Sequence, residues 1–72
     1  MEQILILEDD IALNQGLCKA LKTENRKIVS CETIKAARDQ LLCDCPSLIL
    51  LDINLPDGSG LDFLQELKRN YP

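Results

Sequence analysis

Ile4-Leu5-Ile6-Leu7-Glu8-Asp9-Asp10 and, later in the chain, Ser47-Leu48-Ile49-Leu50-Leu51-Asp52 are the stretches that decide the fold. Each is a short, continuous apolar run that ends in acid. Runs without alternation suit strands covered on both faces of a parallel sheet, because alternation is expected only where one face meets water. Short buried helical segments read the same way, so the flanks must arbitrate. From Asp10 to Lys22, Leu13, Leu17 and Leu21 recur every four residues, a helical stripe. Asp9 or Asp10 is placed to cap its start, and Asn25 to end it in a left-handed conformation. Lys27 to Cys31 is a brief β-branched strand. Thr33 caps a second helix whose inner face is Ile34, Ala37 and Leu41. Asp44-Cys45-Pro46 interrupts the chain before the second apolar run. Leu55-Pro56-Asp57-Gly58-Ser59-Gly60 follows it, dense in turn residues. A third helix, with Leu61, Leu64 and Leu67 directed inward, fades at Asn70. Three strand–helix units joined by short links imply an α/β domain over residues 1–72, with a parallel sheet and right-handed crossovers.

Composition narrows the function. At 72 residues, 46% hydrophobic and 28% charged, the chain is globular and forms at most one domain. Phe63 and Tyr71 are its only aromatics, so the core is aliphatic. A net charge of -4, with the eight Lys and Arg side chains spread in twos, argues against nucleic-acid binding by this chain. Cys18, Cys31, Cys43 and Cys45 lack the paired spacing of zinc knuckles, and there is no His. They are expected as small buried hydrophobes with reduced thiols. No basic segment precedes the apolar run at Ile4, and no run is long enough to cross a membrane, so a cytoplasmic location is expected.

In an open parallel sheet, sites form beyond the carboxyl ends of the strands. Glu8, Asp9 and Asp52 stand at such ends. If the two strands are neighbours, three carboxylates converge and repel, so retained protons or a bound cation must neutralise them. Oxygen donors without Cys or His favour Mg²⁺. The alternative reading is that Glu8-Asp9-Asp10 does no more than start a helix. Asp52 weighs against that, because a charge at the end of an apolar strand is costly without a partner.

These stretches, with Asp52-Ile53-Asn54-Leu55-Pro56-Asp57-Gly58-Ser59-Gly60-Leu61, resemble the acidic pair and the phosphoacceptor strand and loop of two-component response-regulator receiver domains. The resemblance runs the length of the chain and includes the spacing of the two motifs. It implies a flavodoxin-like, three-layer parallel sheet truncated after the third strand–helix unit. It also implies that Glu8 and Asp9 hold Mg²⁺, that Asp52 accepts the phosphoryl group and touches the metal, and that Asn54 ligates it through its main-chain carbonyl. Pro56 and Gly60 would shape the loop. A sensor histidine kinase is the implied partner. The turn pattern looks most like receivers of winged-helix DNA-binding regulators, which makes the parent protein a transcription factor. The family's fourth-strand Ser or Thr, fifth-strand Lys and aromatic switch have no counterpart within residues 1–72, so slow phosphorylation is expected. The rival reading, an aspartyl-nucleophile phosphatase or phosphotransferase, would carry a second Asp where Asn54 stands; the chain is therefore not expected to be an enzyme. Nucleotide-cofactor binding is disfavoured, since acids occupy the place of a Gly-rich phosphate turn. In the family's strand order the third strand is central. With only one neighbour it presents an apolar edge, so a homodimer through that strand is expected.

Overall fold

The computed structural model describes residues 2–71. The apolar runs form strands β1 (Glu2–Leu7) and β3 (Leu48–Leu51), with β2 (Arg26–Cys31) between them in sequence. In space β1 is the centre: the order is β2-β1-β3, all parallel. Ile4 pairs with Ile28 on one side and Leu48 on the other, and Leu7 pairs with Cys31 and Leu51. Ile4, Leu5, Ile6 and Leu7 are all buried, as a central strand covered on both faces requires.

The helices are α1 (Ile11–Leu21), α2 (Ile34–Cys43) and α3 (Gly60–Asn70). Asp10 caps α1 by accepting from Leu13 N–H at 3.0 Å, and Thr33 caps α2 by accepting from Ala36 N–H at 3.1 Å. Ser59 caps α3. Helix α1 lies on the sheet face that carries Ile6 and Ser30, to which its Asn14 is bonded. Helices α2 and α3 cover the opposite face. There Ile34, Ala37, Leu41, Phe63 and Leu67 pack with Leu5, Leu7 and Cys31 in one core. Arg38 of α2 joins these two helices, bonding Glu66 of α3 through two nitrogens at 2.9 and 2.8 Å, with its guanidinium 5.7 Å from the Phe63 ring centre. The result is the expected three-layer α/β arrangement.

Four details differ from the sequence reading. Between β3 and α3 the turn-rich stretch is a small antiparallel hairpin, β4 (Asn54–Leu55) and β5 (Gly58–Ser59), outside the main sheet. Helix α1 stops at Leu21 with an extended Lys22, and no non-glycine residue takes a positive φ among the described residues, so Asn25 plays no left-handed role. The buried side chain of α1 is Asn14, while Leu13 is exposed; the inner face of α3 is Gly60, Phe63 and Leu67, while Leu61 and Leu64 are exposed. Of the four cysteines, all free, only Cys31 is buried; Cys43 and Cys45 are exposed at the end of α2 and beyond it.

Candidate phosphoacceptor and metal site

Main-chain bonds lock the acids onto the ends of the sheet. Glu8 N–H donates to the Cys31 carbonyl at 3.0 Å, and Asp52 N–H donates to the Leu7 carbonyl at 3.0 Å. Each strand is thereby prolonged by one residue, and residues distant in sequence become neighbours. One carboxylate oxygen from each of Glu8, Asp9 and Asp52 lies within 4.8 Å of the others. Glu8 and Asp52 are half-buried and Asp9 is exposed. None of the three takes part in an ion pair among the described residues. Burial holds the Glu8 carboxyl above its ordinary value, the Asp10 N–H bonded to it pulls the other way, and the nearby Asp52 and Asp9 carboxylates raise it further. A crowded, uncompensated set of hard oxygens is the donor chemistry that suits a small divalent cation.

Asn54 enters the site through its main chain. Its N–H donates to Asp52 Oδ1 at 3.4 Å, while its side chain is exposed on the hairpin. The loop is closed at Gly60, whose N–H donates to the Ile53 carbonyl at 2.7 Å. A Cβ on Gly60 would collide with the Asp52 carbonyl oxygen and lie 2.9 Å from its carbon. Only a residue without a side chain lets α3 start this close to the acidic strand end. Pro56 sits in the hairpin turn, one residue before Asp57.

Two residues of the site's framework escaped the sequence reading. Asn14, 2% exposed, donates from its amide nitrogen to the carbonyls of Glu8 at 2.9 Å and Cys31 at 3.0 Å. Its oxygen accepts from the Ser30 hydroxyl at 2.6 Å, so one side chain ties α1 to two strand ends. Its signal was present: Asn14 lies on the helical stripe of Leu17, Cys18 and Leu21, where a polar residue must find partners. Asp57 is the second. It lies in the hairpin turn, yet its Oδ1 and Oδ2 accept from the N–H groups of Ile34 at 2.9 Å and Lys35 at 3.1 Å. Those bonds, the one to Ile34 foremost, hold its carboxyl below the ordinary value. No local pattern connects Asp57 to a helix more than twenty residues earlier.

A parallel sheet covered by helices on both faces, with acids at adjacent strand ends and a glycine-closed loop after one of them, defines a doubly wound α/β module. Residues 4–72 match the response regulator receiver domain family, and the chain belongs to that family. Transcriptional regulatory protein BasR of Escherichia coli strain K12 is 42% identical over 67 residues, covering 93% of this chain and 30% of BasR. Among solved structures, the non-phosphorylated HemR receiver domain from Leptospira biflexa superposes with a TM-score of 0.88 at 28% identity, over 99% of this chain and 57% of that one. The Mn²⁺-bound form of response regulator Rcp1 gives 0.83 at 31% identity, over 99% of this chain and 58% of that one. The chain spans 28–31% of the length of the curated relatives it resembles. No helix among the described residues is long and apolar enough to cross a membrane.

Proposed function

We propose that this chain accepts a phosphoryl group on Asp52 from the phosphohistidine of a sensor kinase, with Mg²⁺ held by Glu8, Asp9, Asp52 and the Asn54 carbonyl. The observation that carries this reading is the meeting of the Glu8, Asp9 and Asp52 oxygens at adjacent strand ends. The Mn²⁺-bound state of Rcp1 supports a divalent cation at such a site. In the transfer, an Asp52 carboxylate oxygen forms a bond to phosphorus while the P–N bond breaks, and its electron pair stays on the departing imidazole. The attack of an anion on an anion is opposed by repulsion, and a bound divalent cation offsets that charge. The protein's own part is positioning. Main-chain bonds fix Glu8 and Asp52 on the sheet, Asn14 holds the Glu8 carbonyl, and Gly60 closes the loop around Asp52.

The module is a signal acceptor and not an enzyme: Asn54 occupies the place where an aspartyl phosphatase would need a second carboxylate. BasR is a transcriptional regulatory protein, which supports a role as the input part of a DNA-binding regulator in the cytoplasm. At a net charge of -4 this segment does not itself contact DNA.

Incubation with Mg²⁺ and a small acyl or amino phosphate, followed by intact mass measurement, tests the assignment. Wild type is expected to gain one phosphoryl group slowly, because electrostatic contacts from outside residues 1–72 would each contribute on the order of 10²-fold in rate. Asp52→Asn is expected to gain none. Equal labelling of both would refute Asp52 as the acceptor.

A further inference from the structure

The turn at Pro56-Asp57-Gly58 does more than reverse the chain. A helix begins with N–H groups that have no partner within it. In α2, Thr33 Oγ1 takes the N–H of Ala36 at 3.1 Å, and Asp57, from a different loop, takes those of Ile34 and Lys35 with its two oxygens. The bond that completes the start of α2 is therefore also a tether on the segment that follows Asp52. Gly58, with φ +155°, keeps the turn near α2: a Cβ there would stand 3.0 Å from Ile34 Cδ1. At its other end the segment is closed by the Gly60–Ile53 bond. Between these two anchors lies Asn54, paired with Ser59 across the hairpin and bonded through its N–H to Asp52.

We propose that Asp57 is a positioning residue of the phosphoacceptor site: its carboxylate anchors the 52–60 loop on α2 and so fixes where Asp52 and the Asn54 carbonyl present their oxygens. The metal half of this proposal rests on the Mg²⁺ reading above, whereas the anchoring half stands on the hydrogen bonds alone. The lowered Asp57 carboxyl is consistent with bonds that favour its charged form. Its charged neighbours are Arg38, which lowers it further, and Lys35, whose ammonium is paired to Asp39 at 2.9 Å.

Backbone amide spectra of the 72-residue chain, with and without Mg²⁺, test the proposal in wild type, Asp57→Ala, Asp57→Asn and Thr33→Ala. In metal-free protein Asp57→Ala is expected to shift the amides of residues 52–54 as well as those of Ile34 and Lys35. Thr33→Ala loosens the same helix end without touching the loop and should leave 52–54 in place. On titration, Asp57→Ala is expected to bind Mg²⁺ about tenfold more weakly, the lower end of what losing an outer partner of a metal ligand costs. Asp57→Asn keeps one acceptor oxygen and should recover part of the affinity, and Thr33→Ala should match wild type. Unmoved 52–54 amides in metal-free Asp57→Ala would overturn the anchor. So would equal weakening of Mg²⁺ binding in Asp57→Ala and Thr33→Ala, which would reduce Asp57 to a helix cap. A wild type whose residues 8–10 and 52–54 ignore Mg²⁺ refutes the metal reading instead, while the metal-free spectra still decide the anchor.

Discussion

The same substitution, glycine to alanine, should act with opposite sign at two helical positions. Gly16 lies exposed within α1, and a Cβ built there meets nothing within 4 Å. Gly16→Ala should therefore stabilise the fold by about 0.5–1 kcal/mol, the helix-propensity difference. Gly60 opens α3 and is buried against the strand end that bears Asp52. Its new Cβ would collide with the Asp52 carbonyl oxygen and stand 2.9 Å from the Asp52 carbonyl carbon and from Ile53 Cα. These are backbone atoms, unable to swing aside as a flexible side chain would. Forced overpacking costs about 1–3 kcal/mol, and the propensity gained at a first helical position offsets only a fraction of it. A net loss of about 1–2 kcal/mol corresponds to a fall of roughly 4–16 °C in melting temperature for a domain of this size. Thermal melts followed by circular dichroism would read both changes. Gly60→Ala melting at or above wild type would refute the close approach of α3 to Asp52, and Gly16→Ala melting lower would refute the open environment of α1.

Three further outcomes are expected. Asn14→Ala should cost about 2–3 kcal/mol in urea denaturation, because the buried Cys31 carbonyl and the part-buried Glu8 carbonyl and Ser30 hydroxyl lose their partner; a change of a few tenths would show that Asn14 is incidental. Asp57 and Glu66 are held below their ordinary values of 3.8 and 4.5, chiefly by the Ile34 N–H and by Arg38, so the unfolded chain takes up protons first as pH falls. Their stabilisation is complete above pH 4.5 and is lost as pH drops through the folded values, while Glu8, raised by burial, works the other way. The urea midpoint should thus decline on acidification, and less steeply in Glu66→Gln; an unchanged slope would show that the Arg38–Glu66 pair is too solvent-screened to count. Finally, among the described residues β3 is bonded to β1 alone, and Leu48 is 49% exposed. The chain should self-associate in sedimentation across a concentration series and be weakened in that by Ile49→Pro; a folded, strictly monomeric wild type would exclude pairing through this edge.

Much of the fold was legible because its signals are local. Apolar runs without alternation marked β1, buried on both faces, and also β3, which is only half-covered, and Asp10 and Thr33 cap as their side-chain chemistry dictates. The acids at the ends of β1 and β3 were legible as a site, since in a parallel sheet the carboxyl ends of neighbouring strands lie on one edge, where binding sites form. Helix faces were harder. Leu13, Leu17 and Leu21 repeat every four residues, but a helix turns in 3.6, so the stripe drifts and Leu13 rotates into solvent. In α3 the inward set is Gly60, Phe63 and Leu67, chosen by which side lets the helix approach Asp52, and leucine content alone pointed to Leu61 and Leu64 instead. The hairpin and the Asp57 anchor were not legible, because both depend on tertiary contacts between segments far apart in sequence.

The order of the strands has a kinetic consequence. β1 pairs with β2 across 24 residues and with β3 across 44, as Ile4 with Ile28 and Leu48 shows. Closing the longer loop costs only about 0.5 kcal/mol more in chain entropy, and in the folded sheet β3 has β1 as its bonded neighbour. During synthesis β1, α1 and β2, which Asn14 ties together, leave the ribosome before β3. Asp52 follows directly on β3, so its carboxylate comes beside Glu8 and Asp9 only when the longer of the two loops closes. The three carboxylates are thus a cluster that exists only in the folded sheet, since nothing in the sequence between Asp9 and Asp52 holds them together.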